Sequence, residues 1–262
     1  MPRVVSRLLA YFLVCYALSW FGHLGNWLWP SGYWPLPMNP LGPLLAAPIV
    51  LWAFDGGAGV RAWFWRMLRF RAPLWVYGAA FAIPLAIIIA SVGLAILIGT
   101  PHGPLPTYSP LEFVIYAPVV LLFGPLPEEP GFRGFGQYEL QESTSALVAA
   151  LVIGFGVLIW HLPLLLLGEI PLPIAAVLIA VSVVYAWLYV SGGSIWPLVL
   201  LHWVQNYFGG GFFGEMFTPE HGRVWTAFLA GLYTIWAVLL VWKFGTGLGR
   251  KPAVLLPSNP GT

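Results

Sequence analysis

Apolar runs of about 20 residues, the length that crosses a bilayer as a helix, recur along the whole of this chain. No other feature narrows the possible folds as much. Backbone N–H and C=O groups in hydrocarbon must be satisfied within the protein, so only helices and closed barrels span a membrane. Barrel strands alternate polar and apolar residues, whereas these runs are continuous. Only 8% of the 262 residues are charged, against about 25% in an ordinary soluble domain. The expected fold class is therefore all-α: a polytopic transmembrane helical bundle forming one domain over residues 1–262. The single Cys15 excludes an internal disulfide, and nothing in the formal net charge of +2 points to nucleic acid.

About eight spans can be drawn, at roughly residues 7–29, 38–54, 74–99, 110–127, 145–167, 172–190, 194–209 and 223–244. The first runs on through Trp27-Leu28-Trp29, longer than a typical signal-peptide core, and reads as an uncleaved span. Threading the spans alternately puts Arg3, Arg7, Arg61, Arg66, Arg69, Arg71, Lys243, Arg250 and Lys251 on one side. Arg223, with Glu215 and Glu220, falls on the other. The positive-inside rule then places both termini in the cytoplasm. The expected location is a bacterial or archaeal cytoplasmic membrane.

Residues 55–72 read as an interfacial basic loop, opened by Gly56-Gly57-Ala58-Gly59, with arginines alternating with Trp, Phe and Met at near-helical spacing. Trp20, Trp27, Trp29, Trp34, Trp196 and Trp225 lie near span ends and read as interface belts. Residues 250–262 read as a disordered tail.

Against this background the ionisable groups inside apolar runs stand out. Each costs roughly 2.5–3.5 kcal/mol at membrane depth on insertion scales. Glu128, Glu129 and Arg133 lie in Leu126-Pro127-Glu128-Glu129-Pro130-Gly131-Phe132-Arg133, and His161 and His202-x-x-x-Asn206 follow in later runs. Glu129 and Arg133, spaced i and i+4, meet if the segment is helical, and the pair neutralises both charges. Glu128 is rotated by about 100° from Glu129 and is left free for chemistry. Pro127 and Pro130 read as the helix start, and Gly131 and Gly134 as points of close approach for another helix or for substrate. His202 and Asn206, one turn apart, share a face. Imidazole relays protons or ligates a metal, and a carboxamide orients water or holds an oxyanion. Glu112, Glu139 and Glu142 read as surface or helix-end charges.

In this order the motifs resemble those of the CPBP family of intramembrane proteases, which includes the type II CAAX prenyl endopeptidases. The family carries Glu-Glu-x-x-x-Arg, then Phe-x-x-x-His, then His-x-x-x-Asn or Asp. Glu128–Arg133, His161 and His202–Asn206 match these over a stretch of about residues 110–210, with Val157 where the second motif has Phe. The resemblance implies an endopeptidase that cuts a membrane-associated or prenylated peptide with glutamate-activated water. It implies Glu128 as general base and proton donor, His161 on the attacking water, and His202 and Asn206 on the oxyanion. Glu129 and Arg133 would brace the wall.

No cofactor is favoured. Zn²⁺ on Glu128, His161 and His202 is the metal-dependent alternative, although the chain has no His-Glu-x-x-His helix. A proton- or ion-coupled transporter using the same residues, and a non-catalytic scaffold, are the rival functions; no inverted repeat supports the former.

By residue counting Glu128 sits near the cytoplasmic end of its span. His161 lies about 14 residues into the next, or roughly 21 Å at helical rise. A tilted, broken or re-entrant segment around Pro127–Gly136 would reconcile the depths, with a water-filled cavity entering from the cytoplasmic face.

Overall fold

A computed structural model describes residues 2–29 and 38–250, and every regular element among them is helical. Helix α1 (Pro2–Ser19) is followed by the short α2 (Phe21–Leu28), then α3 (Gly42–Met67) and α4 (Leu74–Leu97). Next come α5 (Pro110–Phe123), α6 (Pro125–Gly131), a π-helical segment (Phe132–Gln137) and α7 (Tyr138–Gln141). Helices α8 (Ala146–Trp160), α9 (Leu162–Leu166), α10 (Ile174–Gly192) and α11 (Trp196–Val204) lead into a second π-helical segment (Gln205–Gly210). The long α12 (Pro219–Phe244) closes the bundle.

The local sequence explains several helix ends. Ser109 and Glu112 form a capping box at the start of α5: the Glu112 N–H donates to Ser109 Oγ at 3.2 Å, and the Ser109 N–H donates to Glu112 Oε2 at 2.8 Å. Ser145 caps α8, and Thr218 with Pro219 opens α12. Gly193 ends α10 in the left-handed region at φ 62°, a conformation that costs a Cβ-bearing residue energy.

Among the described residues five helical stretches are long and apolar enough to cross a membrane: Gly42–Met67, Leu74–Leu97, Pro110–Gln141, Ile174–Gly192 and Pro219–Phe244. Helix α8 is equally apolar but shorter. Large apolar side chains such as Leu97, Leu111, Val114 and Trp242 are exposed on the outer faces, an arrangement that suits lipid.

Several expectations change in detail. The run from 7 to 29 is not one helix. It breaks after Ser19, where Trp20 stacks on Tyr16 and donates its indole N–H to the Trp160 carbonyl. The basic stretch at 55–72 is mostly helix rather than loop. It continues α3 to Met67 across a kink at Gly56, whose φ of 64° and ψ of −162° favour glycine. Its aromatics are not all interfacial either, since Trp63 is buried and donates to the Pro130 carbonyl at 3.2 Å. Trp27 and Trp29 are exposed as a belt requires, but Trp225 packs inside the core. Trp34 and the tail from Lys251 lie outside the described residues. Glu139 is buried, not a surface charge, and pairs with Arg7 at 3.1 Å.

Two apolar clusters form the interior. One joins α4, α10, α11 and α12; the other joins α1, α3, α8 and the α6–α7 segment. Glycine lets the second close up. A Cβ on Gly131 would stand 2.2 Å from the Pro43 carbonyl oxygen, and one on Gly134 would stand 2.5 Å from Met67 Sδ. The close approach expected at these two positions is therefore made by α3.

One end of the bundle gathers basic groups. Arg3 and Arg7 pair with Asp55 at 2.7 and 2.8 Å, and the Arg66 guanidinium lies over the Tyr138 ring at 3.9 Å. Arg250 donates to the Gln141 carbonyl at the same end. Helices α10 and α12 begin at the opposite end, near Glu169, Glu220 and Arg223.

Candidate active site

The segment that carries the two glutamates is broken at Gly124, just before the expected Pro127–Gly136 stretch. Helix α5 stops at Gly124, with φ −127° and ψ −88°, and the chain restarts as α6 at Pro125. The helix thus starts earlier than the expected Pro127–Pro130 boundary. Glu128 falls in its first turn and Pro130 in its interior. The backbone then widens to π-helix over Phe132–Gln137, which contains Arg133. Asn206 sits in the second π-helical segment. Such segments are rare and concentrate at functional sites, because the inserted residue redirects the side chains that follow.

Glu128 and Glu129 are both buried, and they have different surroundings. Glu129 has two partners. The Arg133 Nε lies 3.5 Å from its Oε2, as the i, i+4 spacing predicts. The His202 Nδ1–H donates to its Oε1 at 2.7 Å. Among the described residues no protein side chain hydrogen-bonds the Glu128 carboxylate.

The imidazoles are held alike. His161 ends α8, and its Nδ1–H donates to the Val157 carbonyl at 2.9 Å. A carbonyl only accepts, so in the neutral ring Nε2 carries the lone pair. His202 Nδ1 is held by Glu129, which also leaves Nε2 available. Val157, in place of the motif Phe, packs in the cluster that contains Phe132 and Trp160. The His161 bond uses its backbone, so the substitution does not touch it.

Arg133 has supports that sequence reasoning missed. It donates from Nη2 to Ser182 Oγ at 3.3 Å and lies over the Tyr185 ring at 4.3 Å. Ser182 and Tyr185 are i, i+3 neighbours on α10. The available signal was a pair of polar groups on one face of an apolar span.

Glu128, Glu129, Arg133, His161, His202 and Asn206 all line one cavity of about 940 Å³. Asn206 fits because residue 124 is glycine: a Cβ there would stand 2.9 Å from its Nδ2. Among the described residues no three His, Cys, Asp or Glu side chains gather closely enough to hold a metal ion.

The cavity does not open where residue counting placed its mouth. From the glutamates it runs past Leu164 and Gly168 to Glu169, Thr218, Glu220 and Arg223. That is the end opposite the basic groups. At the basic end Phe132 and Phe135 are fully buried, and Met67 packs against Gly134. Counting along upright spans failed because α8 stops at His161 and the glutamate segment breaks at Gly124.

This geometry can be set beside known proteins. Residues 110–208 match the family model described as type II CAAX prenyl endopeptidase Rce1-like. No match is found among curated proteins. The matched stretch runs from the start of α5 into the second π-helical segment and holds Glu128, Glu129, Arg133, His161, His202 and Asn206. The match covers less than half of the chain and, with the all-helical fold and its apolar spans, supports the resemblance to the CPBP family of intramembrane proteases.

Proposed function

We propose that this protein hydrolyses a peptide bond of a membrane-associated substrate with water activated by Glu128. The observation that carries the reading is the shared cavity. It gathers a buried carboxylate without a hydrogen-bond partner among the described residues, two imidazoles with Nε2 available and a carboxamide.

The chemistry divides among these groups. Glu128 takes a proton from water as the water oxygen bonds to the scissile carbonyl carbon. The Nε2 lone pair of His161 accepts a hydrogen bond from that water and orients it. The carbonyl oxygen becomes an oxyanion, and Asn206 Nδ2–H donates to it. An imidazole with a carboxylate on Nδ1 can carry protons on both nitrogens, so His202 adds a second donor from Nε2–H. As the C–N bond breaks, Glu128 returns its proton to the leaving nitrogen. Glu129 is a positioning residue: it fixes the His202 ring, and Arg133 balances its charge. No step exports an ion, which separates this scheme from a proton or ion relay.

The test uses the purified full chain in proteoliposomes, offered prenylated and membrane-spanning peptides, with products read by mass spectrometry. Cleavage is expected and should persist in a strong chelator. Loss of cleavage on chelation, restored by Zn²⁺ alone, would contradict the metal-free scheme.

The cavity mouth bears on which substrates can enter. If the basic end faces the cytoplasm, as the positive-inside rule implies, the mouth faces the other side of the membrane. In the Glu220→Cys variant a membrane-impermeant maleimide is expected to label intact cells, with the buried Cys15 silent. Labelling only after permeabilisation would reverse the orientation and admit substrates from the cytoplasm.

A further inference from the structure

A second cavity, of about 600 Å³, lies at the basic end, away from the glutamates. It sits where α3, α7 and α10 end and the chain after α12 returns. Arg66, Arg69 and Arg250 line it, with Tyr138, Gln141 and Ser194. Among the described residues none of the three arginines forms an ion pair, whereas Arg3, Arg7 and Arg133 all do. The exposed Glu142 also lines the cavity, without reaching ion-pair distance of them.

Two donors there are buried and unused. Arg66 Nε has no hydrogen-bond partner, its guanidinium being held over the Tyr138 ring. Gln141 is more than nine-tenths buried, and its Nε2 has no partner either. Buried donors are nearly always satisfied, so an acceptor belongs in this space. Three guanidinium groups and a carboxamide N–H call for an anion with several oxygens. Phosphate is the fitting group, because the guanidinium fork matches it in a bidentate way.

The surroundings decide what carries the phosphate. Phe64, Trp65 and Phe70 flank Arg66 and Arg69 in sequence and are exposed. Exposed aromatics beside arginines at helix ends mark the headgroup layer. We propose that this pocket binds the phosphate of an anionic phospholipid headgroup. The inference is independent of the proteolytic reading, since none of its residues lines the glutamate cavity.

Native mass spectrometry of the full chain, released from micelles containing phosphatidylglycerol or phosphatidylcholine, tests it. Phosphatidylglycerol should be retained in preference. Each arginine removed should weaken retention about fivefold, so Arg66→Gln with Arg250→Gln should lose about twenty-five-fold. Arg61→Gln, on the same helix but outside the pocket, should change nothing. Arg66→Lys, which keeps the charge, guards against a folding defect and should retain more lipid than Arg66→Gln. Equal losses in Arg61→Gln and the double variant would overturn the pocket. Inorganic phosphate displacing the lipid at equal concentration would overturn the lipid assignment in favour of a soluble anion.

Discussion

Replacing Glu128 by Gln should lower the cleavage rate by roughly 10²–10⁴-fold, the usual contribution of a positioned general base. That corresponds to about 3–5 kcal/mol of transition-state stabilisation. Gln has the shape of Glu, so the cavity wall and its volume survive. Its carboxamide cannot take a proton from water, nor return one to the leaving nitrogen. The loss should therefore fall on kcat, with substrate still bound. A purified variant assayed for cleavage and for substrate co-purification separates the two effects. Retained cleavage within about threefold of wild type would remove Glu128 from the chemistry. Binding and cleavage lost together, with unfolding, would instead show that the carboxylate supports the fold.

Arg133→Ala is the other large effect, and it acts on stability. The guanidinium is buried between Glu129, Ser182 and the Tyr185 ring. Deleting it leaves the fully buried Glu129 facing His202 alone. Removing one partner of a buried ion pair costs about 3–5 kcal/mol, because the remaining charge loses its compensation. Adding Glu129→Gln removes that charge and should recover part of the loss, so the double variant should be more stable than Arg133→Ala. Unfolding of the purified proteins in mixed micelles measures both. Strictly additive losses would mean that the two side chains are not coupled. The double variant should still cleave poorly, since His202 would have lost the carboxylate that orients its ring.

Much of this site could be read from the sequence because charge is so costly in lipid. Glu128, Glu129, Arg133, His161 and His202 stand out as ionisable groups within apolar runs. The Glu129–Arg133 contact followed from an i, i+4 spacing that survives the start of the π-helical segment. The bond from His202 to Glu129 did not follow, since it joins residues 73 apart through tertiary packing. Residue spacing gives no register across helices. The π-helical segments were equally hidden: one added residue per turn leaves no trace in composition, yet it redirects Arg133 and Asn206. Ser182 and Tyr185 passed unnoticed because single polar residues in a span usually bond locally, as Ser182 also does to the Leu178 carbonyl.

The all-helical bundle was legible as a class and less so in its boundaries. Apolar length predicted α4 and α12 closely, over 74–99 and 223–244. It misjudged the stretch after Gly56, where arginines suggested a loop and the backbone stays helical after the kink. The direction of the cavity depended on where α8 ends; the apolar run continues through His161, and Pro163 two residues on was the stop signal that span counting passed over.

The most direct test of hydrolysis at this cavity compares the membrane peptidomes of cells carrying the wild-type chain and the Glu128→Gln chain at equal expression. New peptide termini present with the wild type and absent with the variant are the predicted result. Identical sets of termini, from cells in which both proteins are folded and membrane-inserted, would contradict it.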